Sequence, residues 1–98
     1  MKESIRNELL AQSWNIHDVV ESSYLDNPAV KGDLEWSEKQ RILLAYMAIH
    51  LMQTALNPGD IDLTKLRNNI HAVLTITDQF LPEADLKTSL EKIYEKNI

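Results

Sequence analysis

The segment from residue 42 to residue 56 constrains the fold of this chain more than any other. Placed on a helix, its apolar side chains occupy several sides: Ile42, Ala45, Ile49 and Leu56 lie near one line, and Leu44, Met47, Ala48, Leu51 and Ala55 lie on others. A helix that is apolar all round has to be surrounded. The sequence therefore predicts a central helix over residues 38–56, enclosed either by the rest of its own chain or by a second copy of it.

The remainder of the chain also favours helices, because apolar residues recur every three or four positions and no segment alternates with a period of two between turn dipeptides. We predict helices over residues 3–24, 38–56, 62–80 and 82–96. Ser37 and Gln40 form a capping-box pattern, Asp60 or Asp62 is expected to cap the third helix, and Asn15 could cap a second piece of the first. The predicted inward stripes are Ile5, Leu9, Ile16, Val19, Val20 and Tyr24 in the first helix, Leu63, Leu66, Ile70, Val73, Leu74 and Phe80 in the third, and Leu86, Leu90, Ile93 and Tyr94 in the fourth.

Three prolines and two glycines mark the breaks between these segments. Pro28 and Gly32 lie in the longest connector, residues 25–36, Pro58 and Gly59 end the central helix, and Pro82 separates the last two helices. Short connections make the second, third and fourth helices antiparallel neighbours. The prediction is one all-α domain over residues 1–98, an antiparallel helical bundle of four helices, or five if the first is split.

Composition excludes several classes of function. The chain has no cysteine, which removes disulfides, thiolate nucleophiles and cysteine-ligated metals. Its N-terminal segment lacks the continuous apolar core of a secretory signal, and its longest apolar run, residues 42–49, is too short to cross a membrane. We therefore expect a cytoplasmic protein with no membrane partner. Isolated glycines exclude the common phosphate-binding loops, and the absence of Glu-x-x-His argues against a di-iron bundle, so no cofactor or metal is predicted.

The histidines are the residues that enzymatic or metal chemistry would need. His17 and Glu21 share a helix face and could hold a metal or relay a proton, although a weak surface ion pair is the commoner outcome. His50 lies in the apolar central helix and needs a hydrogen-bond partner there, while His71 is expected to be solvated. No nucleophile lies in a recognisable turn, so no catalytic residue is assigned. An enzyme or metal protein built on His17 or His50 ranks third among the functions considered.

Charge argues against nucleic acid as a partner. The chain carries 15 acidic and 10 basic side chains, a formal net charge of -5, whereas phosphate binding needs the opposite sign. One exception keeps a small DNA-associated regulator as the alternative function. The third helix begins with residues that a recognition helix could use, although Asp60 and Asp62 precede them: Lys65, Arg67, Asn68, Asn69 and His71.

The acidic residues are concentrated in one stretch, residues 18–38, which accounts for the whole net charge and also contains aromatic and aliphatic residues. Such a surface suits a basic protein partner, because long-range charge guides the encounter and buried aromatic side chains hold it. The plainer alternative is a solvated connector whose apolar residues cap the bundle. The sequence hypothesis is a non-catalytic protein-interaction module, such as an adaptor, a chaperone or an immunity-like or antitoxin-like inhibitor, with a homodimer as a further expectation. The candidate partner-binding residues are Asp18, Glu21, Tyr24, Asp26, Asp33, Glu35 and Trp36.

Overall fold

A computed structural model describes residues 1–94 of the protein and shows four packed α-helices. They are α1 (Glu3–Leu25), α2 (Trp36–Leu56), α3 (Leu63–Phe80) and α4 (Leu86–Ile93), with a 3-10 turn at Pro82–Ala84 before α4. Hydrogen bonds between neighbouring helices show that they are antiparallel: early residues of one helix meet late residues of the next, as Arg6 meets Leu56 and Gln40 meets Gln79. The predicted all-α antiparallel bundle is confirmed.

Local signals located most helix ends correctly. Asp62 is the N-cap of α3, and its carboxylate accepts the backbone N–H of Lys65 at 3.0 Å. Of the two alternatives left open for α1, the continuous helix is the one observed, because the helix runs through Asn15 without interruption. The capping box at Ser37 is wrong. The turns of the connector run directly into α2, so the Glu35 carbonyl accepts the first helical hydrogen bond and the Ser37 hydroxyl is left inside the first turn.

The last helix is shorter than predicted. Pro82 opens the 3-10 turn and not α4, and Asp85 interrupts the helical path with a left-handed backbone, φ 52°. A left-handed residue ends the preceding turn, so α4 starts only at Leu86. The end of the predicted helix, which included Lys96, lies outside the described residues.

The helices form a thin layer and do not close around one axis. The dimensions of the molecule are 45 × 40 × 16 Å, and the extensive contacts join each helix to the next one along the chain. α2 therefore lies between α1 and α3, as its apolar sequence predicted. It is not enclosed, however: Leu44, Met47, Ile49 and Leu51 are only half-buried, so the expected full sequestration of this helix is wrong.

The contact between α1 and α2, which we call the seam, is polar. Its α1 side consists of Arg6, Leu10, Ser13, His17 and Glu21, and its α2 side of Tyr46, His50, Gln53 and Leu56. Because Ser13 and His17 find their partners on α2, α1 is rotated and its apolar stripe points away. The predicted inward positions Ile5, Leu9, Ile16 and Val19 are consequently exposed, as are Leu63, Phe80 and Tyr94 elsewhere. Among the described residues, the fully buried apolar side chains are Ala29 and Ile76.

Candidate protein-interaction surface

The connector between α1 and α2 is an ordered structure held by its own side chains. The Asn27 side-chain oxygen accepts the Ala29 N–H at 3.0 Å, and the Asp33 carboxylate accepts the Val30 N–H at 2.9 Å. Lys39, from the first turns of α2, donates to the Ala29 carbonyl at 3.3 Å, and the Ala29 side chain is buried beneath the loop. These bonds fix the direction of the residues that the connector exposes.

Three large aliphatic side chains project from this ordered loop into solvent. Leu25, Val30 and Leu34 are all exposed, and Leu34 is 100% exposed. Leu34 also borders an open hollow of about 470 Å³, which is lined by Asn27, Pro28, Ala29, Asp33, Leu34 and Glu35. Single exposed apolar residues are common on proteins, but a group held by a rigid turn is unusual enough to suggest a contact surface.

Three of the predicted acidic residues are interleaved with these aliphatic residues along the chain. Asp26, Asp33 and Glu35 are exposed, and they alternate along the chain with Leu25, Val30 and Leu34. Asp33 has a structural task as well, because its carboxylate holds the Val30 N–H. We call these six residues the connector surface: Leu25, Asp26, Val30, Asp33, Leu34 and Glu35.

The two aromatic residues predicted for this surface are partly buried by contacts within the protein. The Lys39 ammonium lies 4.9 Å from the centre of the Tyr24 ring, a cation–π contact, and Tyr24 is half-buried. Trp36 is the first residue of α2 and is half-buried too. The aliphatic residues of the connector, and not these rings, are the side chains free to enter a partner.

Asp18 and Glu21, also predicted to bind a partner, contact residues of the seam, although the Asp18 side chain is itself exposed. Asp18 lies 3.0 Å from Nδ1 of His17, and Glu21 accepts the Tyr46 hydroxyl at 2.6 Å. The predicted acidic surface is therefore two separate sets: one is engaged with the buried His17, and the other is exposed on the connector.

The seam brings His17 and His50 together, a pairing that the sequence did not predict. Their Nε2 atoms are 3.2 Å apart, and the rings of Trp14 and Tyr46 pack edge-on or tilted against His17 at 4.9 and 5.0 Å. With Nδ1 of His17 donating to Asp18, its Nε2 accepts from the Nε2–H of a neutral His50. The expectation that His50 finds a hydrogen-bond partner is confirmed.

The environment of this pair opposes a positive charge on His50. Burial, followed by the neighbouring His17, lowers the pKa of His50, while Glu21 acts in the opposite direction. The hydrogen bond to Glu21, followed by burial, raises the pKa of Tyr46, so this hydroxyl stays protonated. Both groups are thus set up as neutral hydrogen-bonding partners across the seam.

A pocket of about 250 Å³ opens beside His50 and is lined by residues of α1, α2 and the early part of α3. Its polar lining includes Gln53, Lys65 and Asn69, but Gln53 already donates to Ser13 and Asn69 accepts the Thr54 hydroxyl. No three His, Asp or Glu side chains within residues 1–94 are arranged to hold a metal ion. The two imidazoles of this cluster can share a proton between their Nε2 atoms.

The basic start of α3 is also partly committed to internal contacts. Asn68 accepts the Tyr94 hydroxyl at 3.0 Å, and the exposed His71 ring lies 5.7 Å from the Tyr94 ring. Asn69 is bonded to α2, so Lys65 and Arg67 are the members of the set that project freely from this helix. Two cations and no free amide pair make a poor base-reading face.

None of the helices described for this chain is long and apolar enough to cross a membrane. No family model matches the chain, and neither do the curated proteins or the solved structures compared with it. Its function has to be argued from the side chains and their surroundings.

Proposed function

We propose that the protein is a non-catalytic protein-interaction module whose connector surface docks a basic protein partner. The observation that supports this most directly is Leu34, which is fully exposed at the tip of a hydrogen-bonded turn between Asp33 and Glu35. A rigid apolar side chain loses little conformational freedom when a partner buries it. Its exposure in the free protein is unfavourable, and a partner with an apolar cleft removes that surface from water.

The acidic residues define what surrounds the cleft on the partner. Asp26, Asp33 and Glu35, which we call the acidic rim, are exposed and interleaved along the chain with the aliphatic residues, and Lys31 is the one basic residue between positions 18 and 38. Lysine and arginine side chains beside an apolar cleft complement this rim, speed the encounter and make it dependent on salt concentration. Adaptors, chaperones and neutralising inhibitors all use this kind of contact.

The first test uses the tagged full-length protein as bait in its native host, followed by binding measurements with each recovered protein. We expect Leu34→Ala to weaken affinity for the true partner by about tenfold or more, because burial of a leucine contributes roughly 1.5–3 kcal/mol. Leu81→Ala is the matched control, since Leu81 is exposed in another loop. Equal affinity of the two variants would contradict the proposal.

Charge reversal tests the rim separately. Asp33 is unsuitable for this purpose because its carboxylate holds the turn, so Asp26 and Glu35 are both changed to lysine. Association should slow and lose much of its salt dependence, whereas dissociation should change less. The control makes the same change in net charge on exposed acids elsewhere, Asp60→Lys with Asp78→Lys. Retention on heparin that depends on Lys65 and Arg67 would instead favour a nucleic-acid partner.

A further inference from the structure

The apolar stripe of α1 that was expected to face inward is uncovered on one side of the layer. Ile5, Leu9 and Ile16 are separated by four and seven positions, so they lie along one line of the helix. All three are exposed, Ile16 at 51%. These side chains form an apolar strip about three turns long, with the exposed Gln12 between Leu9 and Ile16.

α2 carries a second apolar strip on the same side of the molecule. Each residue of the α1 strip directly precedes a seam residue, as Ile16 precedes His17. On α2, the residues that directly precede the seam residues Tyr46, His50 and Gln53 are Ala45, Ile49 and Met52. One step back along a helix turns by about 100°, and because α1 and α2 run in opposite directions, that step leads to the same side of the pair. We call the combined surface the outer face: Ile5, Leu9, Ile16, Ala45, Ile49 and Met52.

The accessible area of the molecule shows how much surface lacks a cover. The protein exposes 7201 Å², whereas a compact monomer of 11.3 kDa exposes roughly 5,700 Å². The surplus, roughly 1,500 Å², exceeds the ~800 Å² that each partner buries in a standard stable interface and falls within the range of permanent homodimers. The thin layer therefore carries the surface of half an assembly.

We propose that a second copy of this chain covers the outer face and forms a two-fold symmetric dimer. The six residues of the face are uncharged, and Glu38 and Arg41, which continue the α2 strip, form an exposed ion pair at its end. Both strips are mainly aliphatic, with the small Ala45 beside Ile49 and Met52 on α2. A two-fold axis sets α1 of each copy against α2 of the other, so the same apolar contact forms twice.

The dimer also provides the cover that α2 needs, because its sequence is apolar on several sides. α1 and α3 cover two sides of α2 and leave the outer face open, and the second copy fills the open side with the apolar stripe of its own α1. The dimer does not use the connector surface, so a change in one contact leaves the other intact. Failure of either proposal is therefore distinguishable from failure of the other.

Sedimentation equilibrium of the full chain, over a concentration series, tests the dimer. We expect a mass of about twice 11.3 kDa at high micromolar concentration, and Ile16→Glu should reduce it to the monomer mass while the helical circular dichroism is kept. Ala11→Glu is the matched control, because Ala11 is on the same helix, is exposed and lies about 140° around the helix from Ile16. A wild-type monomer, or an Ile16→Glu variant that dimerises as well as Ala11→Glu, would overturn the proposal.

A second variant guards against misfolding of the charged one. Leu9→Ala with Ile16→Ala adds no charge to the outer face and should raise the dimer dissociation constant at least tenfold with unchanged helicity. An unchanged dissociation constant for this pair overturns the proposal even if Ile16→Glu does not fold. A wild-type chain that stays monomeric and floats with neutral lipid vesicles assigns the face to a lipid surface and overturns it as well.

Discussion

Removal of the Ser13 hydroxyl tests whether the polar seam stabilises the fold. Ser13 is 1% exposed, and its Oγ donates to the Leu10 carbonyl at 2.6 Å and accepts from the Gln53 amide at 3.2 Å. Ser13→Ala leaves the Leu10 carbonyl its helical hydrogen bond, but it leaves the buried Gln53 amide without an acceptor. An unsatisfied buried polar group costs about 1–3 kcal/mol, so the free energy of unfolding should fall by about that amount.

A control variant separates the stability lost with the buried hydrogen bond from the stability lost through the change of serine to alanine itself. Ser23→Ala on the same helix removes a hydroxyl that is bonded to the Val19 carbonyl at 2.9 Å but exposed to water, so its effect should stay within about 0.5 kcal/mol. Ser13→Ala combined with Gln53→Leu removes both polar groups, and most of the lost stability should return. The assay is urea unfolding at one fixed protein concentration, because association also contributes to stability. Equal unfolding free energies for Ser13→Ala and Ser23→Ala would refute this account of the seam.

Two further predictions concern pH and helix capping. The pKa of His50 in the folded protein is below its unfolded value of about 6.5, so its contribution to stability is fully present above pH ~6.5 and is lost as the pH falls from there towards the folded pKa. Thermal melts between pH ~7 and ~5 should show this loss of stability. His50→Gln should make the melting temperature less dependent on pH, whereas His71→Gln, on the exposed face of α3, should not. Asp62→Ala removes the N-cap bond to Lys65 and should cost about 1 kcal/mol in urea unfolding. Asp60→Ala, two residues earlier and outside the helix, is its control, and an equal loss in both variants would contradict the capping role.

The helix bounds could be predicted because their signals are local. Asp62 as a cap, and the breaks at Pro58 and Pro82, act within a few residues of their own position. The exception at Asp85 also has a local cause, but an aspartate in a left-handed conformation is too uncommon to expect from sequence.

The rotation of α1 could not be predicted from its own periodicity. Its apolar stripe at Ile5, Leu9 and Ile16 is as regular as the polar stripe that contains Ser13 and His17, and apolar residues are normally placed inside. The choice depends on partners 33 and 40 positions away, His50 and Gln53. A usable signal was nevertheless present, because His50 and Gln53 are polar residues three positions apart, on one side of the otherwise apolar α2.

The candidate surface stays a prediction, but the structure shows which of its side chains are exposed and which are half-buried. The concentration of acid predicted the connector, whereas Tyr24 and Trp36 are natural choices for anchors from composition alone. Their partial burial depends on Lys39 and on the start of α2, which the loop sequence does not specify. Leu34 lies in the turn that the Trp36 N–H closes on the Asp33 carbonyl, and its exposure in that turn becomes visible only in three dimensions.

The layered order of the helices has a consequence for how the chain reaches its structure. Because each helix packs mainly on the next one in sequence, the average separation of contacting residues along the chain is short, and chains with such low contact order fold in microseconds to milliseconds. An array of this kind also opens in steps, since the terminal element can detach without disturbing more than one neighbour. α3 is the one α-helix with which α4 makes extensive contacts, whereas α2 packs against both α1 and α3. The amide hydrogens of α4 should therefore exchange well before those of α2.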